Sequence, residues 1–199
     1  MTKYYGDIPP KMLEGSILDI GAGTGEAQIT SDNANHFIRA SAEGRYQGID
    51  KFQENISGLN IECADLFDYD GKYDTVICMH VVEHYPIENW DLLFTLLKGF
   101  VKRGGWLILG APFFENERDY RHMELSDWRK HRVFRISAKT FHPFLGGVRC
   151  FESRNNYGSV RVTIRGLIWW LRCWVKGDRY FPFGLMRRSF IMFWEKGAE

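Results

Sequence analysis

No apolar run in this chain approaches the ~18 residues of a membrane-spanning helix, although 45% of its 199 residues are hydrophobic. A membrane span is therefore not expected, while one domain with a real core is. The opening residues, Met1 to Asp7, show no apolar signal region. Cysteine is scarce and scattered. Cys63, Cys78, Cys150 and Cys173 contain no Cys-x-x-Cys pair, and buried thiols in a reducing, cytoplasmic setting are the plain expectation. A Gly-Lys-Ser or Gly-Lys-Thr run is also missing, which excludes the phosphate-cradling loop of NTPases. Net charge is nearly absent at +1, but the balance is uneven. Residues 1–117 hold 9 Lys/Arg against 18 Asp/Glu, and residues 118–199 hold 17 against 7. Such a split is what an anionic partner of the C-terminal part would want, or two lobes of one domain attracting each other.

What is present is the stretch Ser16 to Gly25, Ser-Ile-Leu-Asp-Ile-Gly-Ala-Gly-Thr-Gly. Ile17, Leu18 and Ile20 read as a short buried strand. Gly21, Gly23 and Gly25 follow at alternate positions, and a polar stretch with helical potential comes after. A strand, a glycine loop and a helix N-terminus make a nucleotide-cofactor site. The dinucleotide fingerprint needs a third glycine at its sixth position. That position is Glu26 here, an acid that would face a pyrophosphate, so NAD and FAD are disfavoured.

The stretch resembles the first motif of class I S-adenosylmethionine-dependent methyltransferases: an acid, any residue, then Gly-x-Gly-x-Gly. The resemblance implies a Rossmann-like, doubly wound α/β fold, with a seven-stranded sheet in the order 3-2-1-4-5-7-6 and an antiparallel last strand. It implies S-adenosylmethionine as cofactor, its ammonium suited by Asp19 directly or through water. Asp50, closing a second strand at Tyr46–Asp50, would accept hydrogen bonds from both ribose hydroxyls. Asp65 would accept from the adenine amino group, with Leu66 against the ring and Asp68 and Asp70 as rivals. The cofactor-binding set is then Asp19, Gly21, Ala22, Gly23, Gly25, Asp50, Lys51, Asp65, Leu66, Met79 and His80.

The rest of the chain reads as one domain over 1–199, with residues 16–112 as the cofactor-binding core. Fifteen residues of lead-in, with Pro9-Pro10 stopping any helix, leave no large N-terminal cap expected. A helical region over 24–42 should break near Ser31-Asp32-Asn33. Residues Lys51 to Gly58 allow at most two helical turns. A third strand is expected over Asn60–Leu66 and a fourth over Tyr73–His80. A helix over Glu88–Arg103 puts Trp90, Leu93, Phe94, Leu97 and Val101 on one face, with Gly104-Gly105 ending it. Trp106–Pro112 is the fifth strand. Residues 113–136, charged and rich in Arg and His, would cover the substrate. Ser137 caps a helix over Ala138–Leu145, and strands follow at Val148–Glu152 and Ser189–Trp194.

Chemistry gathers after the fourth strand, in His80-Val-Val-Glu83-His84-Tyr85-Pro86. This is similar to the Glu-His-x-Pro segment of small-molecule methyltransferases, including those of quinone biosynthesis. A hydroxyl or protonated amine acceptor needs a base near neutrality, which histidine supplies. His84 is the first candidate and His80 the second, with Glu83 orienting one of them. The same three residues also resemble the Glu-x-x-Glu-His magnesium site of small-RNA 2′-O-methyltransferases, with His131 or His122 completing it. Histidine in place of the first glutamate suits Zn²⁺ or Fe²⁺ better than Mg²⁺. A non-catalytic scaffold that binds S-adenosylmethionine is the third reading.

Residues 159–187 are a basic aromatic insertion. Arg161, Arg165, Arg172 and Lys176 alternate with Ile164, Leu167, Leu171 and Trp174. A membrane-surface or lipid contact, a dimer face, or a lid on its own domain would each use it. Nothing matches a nucleic-acid module, so a small-molecule acceptor, anionic if the basic part contacts it, ranks ahead of nucleic acid.

Overall fold

A computed structural model describes residues 3–51, 55–85, 87–112, 143–145, 151–153 and 189–197. The strands are β1 (Ile17–Ile20), β2 (Tyr46–Asp50), β3 (Ile61–Cys63), β4 (Tyr73–Met79), β5 (Val101–Pro112), β6 (Phe151–Ser153) and β7 (Ser189–Glu195). The helices numbered here among the described residues are α1 (Lys3–Gly6), α2 (Glu26–Ile29), α3 (Ala34–Ala42) and α4 (Trp90–Phe100). The sheet runs β3-β2-β1-β4-β5-β7-β6. Strands β1 to β5 pair in parallel, and β7 runs antiparallel to both β5 and β6. This is the doubly wound α/β class expected from the sequence.

Strand parity sorts the core into two layers, because alternate side chains leave a strand on opposite faces. Leu18, Ile20, Val76, Cys78, Leu107 and Leu109 face α4. Ile17, Ile77, Met79 and Ile108 face α1 to α3, beside Tyr5, Leu13, Phe37 and Tyr46. Helix α4 buries Trp90, Leu93, Phe94 and Leu97, each at most 1% exposed. At about 1.5–3 kcal/mol per fully buried side chain, this stripe is a main source of stability. Residues 143–145 are helical and close over it. Phe144 stacks on Phe94 at 5.0 Å between centroids, and Trp194 Nε1 donates to the Leu145 carbonyl at 2.9 Å.

The helical region after the glycine loop breaks between α2 and α3, where it was expected to. Several boundaries differ from the sequence reading. The fourth strand ends at Met79 rather than His80, and α4 begins at Trp90 after a 3₁₀ turn over Ile87–Asn89. The third strand ends at Cys63, and Leu66–Asp68 forms a 3₁₀ turn capped by Asp65, whose Oδ1 accepts from the Phe67 amide. Helix α4 stops at Phe100, and Val101–Gly105 belong to β5. Val101 pairs with Tyr73 across a register shift, and the Gly104 amide and Gly105 carbonyl bond to Lys196. The Gly104-Gly105 pair is therefore part of β5, an interior strand, and not a helix stop. The described part of the sixth strand is Phe151–Ser153, and residues 148–150 lie outside the described residues. Residues 55–58 contain no helix, and residues 52–54 lie outside the described residues. Also outside them are 113–136, most of the helix expected at 138–145, and the whole 159–187 insertion. Among the described residues no helix is long and apolar enough to cross a membrane.

Candidate cofactor and methyl-transfer site

The strand order reverses between β1 and β4, and ligands of open α/β sheets bind in the crevice at such a switch point. Three segments meet there: the loop after β1, the end of β2, and the turn after β4. The Gly21 and Ala22 amides both donate to the Ile49 carbonyl, at 2.8 and 3.1 Å, which ties the loop to β2. Gly21 has φ 71°, and a Cβ on it would come within 2.2 Å of Val81 Cγ2. The loop and the β4 turn are thus packed backbone to side chain, with no room for any other residue type. Gly23 has φ 60°, yet a Cβ there would meet nothing within 4 Å. The loop crest opens onto space that a ligand can fill.

Asp50 stands beside that crest. Its Oδ2 accepts from the Gly23 amide at 3.0 Å, so β2 and the glycine loop share one carboxylate. Lys51 is exposed and pairs with Asp65, Nζ to Oδ2 at 2.6 Å. The Lys51 ammonium and the Phe67 amide hold the Asp65 carboxyl below the usual range. Leu66, expected against an adenine ring, is already only 4% exposed, within the α4-side core. Phe67 lies edge-on to Tyr85 at 5.6 Å, beside this segment. Met79 is buried in the other layer.

Asp19 is not in the crevice. It has no exposed surface, and parity turns it toward α1 to α3. Its Oδ2 accepts from Gln28 Nε2 at 2.7 Å and Tyr46 Oη at 2.9 Å, and its Oδ1 from Tyr5 Oη at 3.1 Å. Burial pushes its pKa up to about 6, against the lowering effect of the three donors. Burial and the nearby carboxylate push both tyrosines well above their ordinary value. Gln28 Nε2 also donates to the Ala22 carbonyl at 3.1 Å, so the network braces the glycine loop from beneath. Asp19 supports the loop through these bonds. Gln28, Tyr5 and Tyr46 were missed from the sequence; a glutamine and two tyrosines near an apolar strand carry no spacing signal. Gly25 caps α2 in the left-handed region.

The turn after β4 carries the remaining candidates. His80 has φ 58° and is the one non-glycine residue with positive φ among those described. Such a conformation costs about 1–2 kcal/mol and persists where the surroundings impose it. Its amide donates to the Gly110 carbonyl on β5 at 2.8 Å. Its Nδ1 lies 3.2 Å from Glu83 Oε1. Glu83 is 5% exposed, and its Oε2 has no hydrogen-bond partner among the described residues. His84 is exposed at the end of the 3₁₀ turn Val82–His84. No three His, Cys, Asp or Glu residues form a metal-ligand set among the described residues, so His80, Glu83 and His84 do not assemble as one. His122 and His131 lie outside those residues.

Known proteins resemble this chain in sequence and in fold. The family model for a methyltransferase domain matches residues 3–144. Tuberculostearic acid methyltransferase UfaA1 of Mycobacterium tuberculosis is 24% identical over 123 residues, which are 59% of this chain and 29% of that enzyme. The chain thus matches less than a third of that relative's length. Among solved structures, a SAM-dependent methyltransferase from Archaeoglobus fulgidus is similar with a TM-score of 0.54 at 17% identity, over 97% of this chain and 88% of that one. N-methyltransferase NodS from Bradyrhizobium japonicum gives 0.56 at 12% identity, over 92% and 86%. Magnesium protoporphyrin IX methyltransferase from Synechocystis, with bound SAH, gives 0.54 at 19%, over 92% and 74%. At these identities the structural matches speak for the fold, and the family match covers well over half of the chain. The chain belongs to the family of methyltransferase domains, with the fold of S-adenosylmethionine-dependent methyltransferases.

Proposed function

We propose that the chain transfers a methyl group from S-adenosylmethionine to an oxygen or nitrogen of a small-molecule acceptor. The observation that carries the cofactor placement is Asp50 bonded to the Gly23 amide beside an open loop crest. A carboxylate at that strand end suits vicinal ribose hydroxyls, because each can donate to one of its oxygens. The residues present fit the group. Gly23 and Asp50 would hold the sugar side, and the Lys51–Asp65 pair borders the base side. When bound, S-adenosylmethionine supplies an electrophilic methyl on a sulfonium. The chain aligns the acceptor, excludes water and removes the acceptor's proton. One of the two histidines after β4 serves as the base. That NodS is an N-methyltransferase supports a heteroatom acceptor. A fatty-acid acceptor is a second reading, favoured by the similarity to UfaA1.

Asp50→Ala should weaken S-adenosylmethionine binding by ~1.5–3 kcal/mol, the worth of a hydrogen bond to a charged group. Isothermal calorimetry reads this directly. Unchanged affinity would remove Asp50 from the site.

A further inference from the structure

We propose that the base of this site is His80 and that Glu83 is the residue that positions it. The inference rests on the methyl-transfer reading and sharpens it, because sequence alone put His84 first. Three observations favour His80. It occupies the C-terminal end of β4 at the switch point, and the next residue, Val81, packs against Gly21 of the cofactor loop. Its backbone is held at φ 58°, a conformation that re-aims a side chain at a strand end and is retained where function requires it. And its imidazole has a buried carboxylate partner, with Nδ1 3.2 Å from Glu83 Oε1. His84, by contrast, is exposed, where water competes for any proton it handles.

A carboxylate that is 95% buried needs a donor, since a buried ion without one is costly. The hydrogen bond that answers this need is a proton on His80 Nδ1. In the neutral ring that leaves the lone pair on Nε2. Glu83 thereby selects the tautomer in which Nε2 is the acceptor of protons, and it stabilises the imidazolium once the proton arrives. With S-adenosylmethionine bound, the acceptor's lone pair would form the bond to the methyl carbon as the carbon–sulfur bond breaks with its electron pair left on sulfur. The acceptor's proton would pass to His80 Nε2, a buried atom, and reach water once the products leave.

Nitrogen-15 imidazole spectra of the full chain, labelled at histidine and recorded at pH 8, test the assignment. The His80 signals are identified by their loss in His80→Gln. The expected result is a neutral ring with its proton on Nδ1, shifting toward the Nε2–H form in Glu83→Gln. An Nε2–H ring in the wild type overturns the proposal. So does a ring still doubly protonated at pH 8, or a spectrum that Glu83→Gln leaves unchanged. Kinetics with tritiated S-adenosylmethionine and phenol or primary-amine acceptors give the second readout. Both variants should lower kcat, His80→Gln on the order of 100-fold, with KM for S-adenosylmethionine unchanged. A loss expressed only in KM counts against the assignment. Calorimetry separates the two levels: no binding of S-adenosylmethionine by the wild type sinks the functional reading, and the base assignment with it. Normal binding with the wrong tautomer sinks only the base assignment.

Discussion

On the α4 side of the sheet the buried layer is apolar, built on Trp90, Leu93, Phe94, Leu97 and Trp194. On the α1–α3 side it encloses Asp19, Gln28, Ser31, Asn33 and Thr75, all buried. Asn33 Nδ2 donates to the carbonyls of Tyr5 and Ile8, both at 2.7 Å, so the polar layer also fastens the N-terminal segment. The two layers stabilise by different means. The apolar one contributes through area removed from water. The polar one contributes little net energy per bond, but its directional bonds fix the glycine loop to β2 and α2. The side of the sheet that carries the loop's support is the side where geometry, more than burial, is specified.

The largest expected effect lies on the apolar side. Trp90→Ala should lower unfolding free energy in urea by about 3–5 kcal/mol, with S-adenosylmethionine affinity of the folded protein unchanged. A matching loss of affinity would show that the two layers are not independent.

The next effect is a pH dependence of the polar side. The Asp19 pKa in the fold is about 6, above its value of about 3.9 in an unfolded chain. Folding therefore favours its protonated form. The contribution is present in full below pH 4 and is lost as pH rises through 6. Two pKa units amount to about 3 kcal/mol. The difference in unfolding free energy between wild type and Asp19→Asn should change by that amount across this window; a flat difference would mean that Asp19 ionises as freely in the fold as outside it. Asp74, at the opposite end of the sheet, behaves in the reverse sense. Partial burial raises its pKa, but Ser16 and Lys102 outweigh that and hold it at about 2. Its contribution is present above pH 4 and fades as pH falls through 2, so the two windows do not overlap.

The smallest effect belongs to one bond of the polar layer. Tyr46→Phe removes a donor to Asp19 and should cost about 1.5 kcal/mol. Since that donor lowers the Asp19 pKa, its loss should also move the midpoint of the pH effect upward. A midpoint that stays put would mean that Gln28 and Tyr5 carry the carboxylate without it.

Much of this was legible in the sequence where the signal is local. The alternation of Ile17 to Ile20, the stripe from Trp90 to Leu97 and the spacing of Gly21, Gly23 and Gly25 each declare an element over a few residues. Asp50 was legible as well, because a strand that ends in an acid announces where the acid stands. Legibility failed where partners are distant in the chain. The donors of Asp19 were not legible, because a motif gives an acid's position but not its direction; parity turns it toward Tyr5 and Tyr46. Gly104-Gly105 read as a helix stop because its true partner, Lys196, is about ninety residues away. The contact of His80 with Glu83 and the exposure of His84 were not legible either, because neither shows in a string of letters.

The sequence by itself determined the strand that carries the glycine loop, through periodicity and short-range spacing, and its resemblance to a known family implied the class of fold. Only the tertiary structure decided which face Asp19 takes, which glycine is packed and which is open, and that His80 meets Glu83. Those are matters of direction, and direction is set by the strands, turns and layers that pack around each side chain.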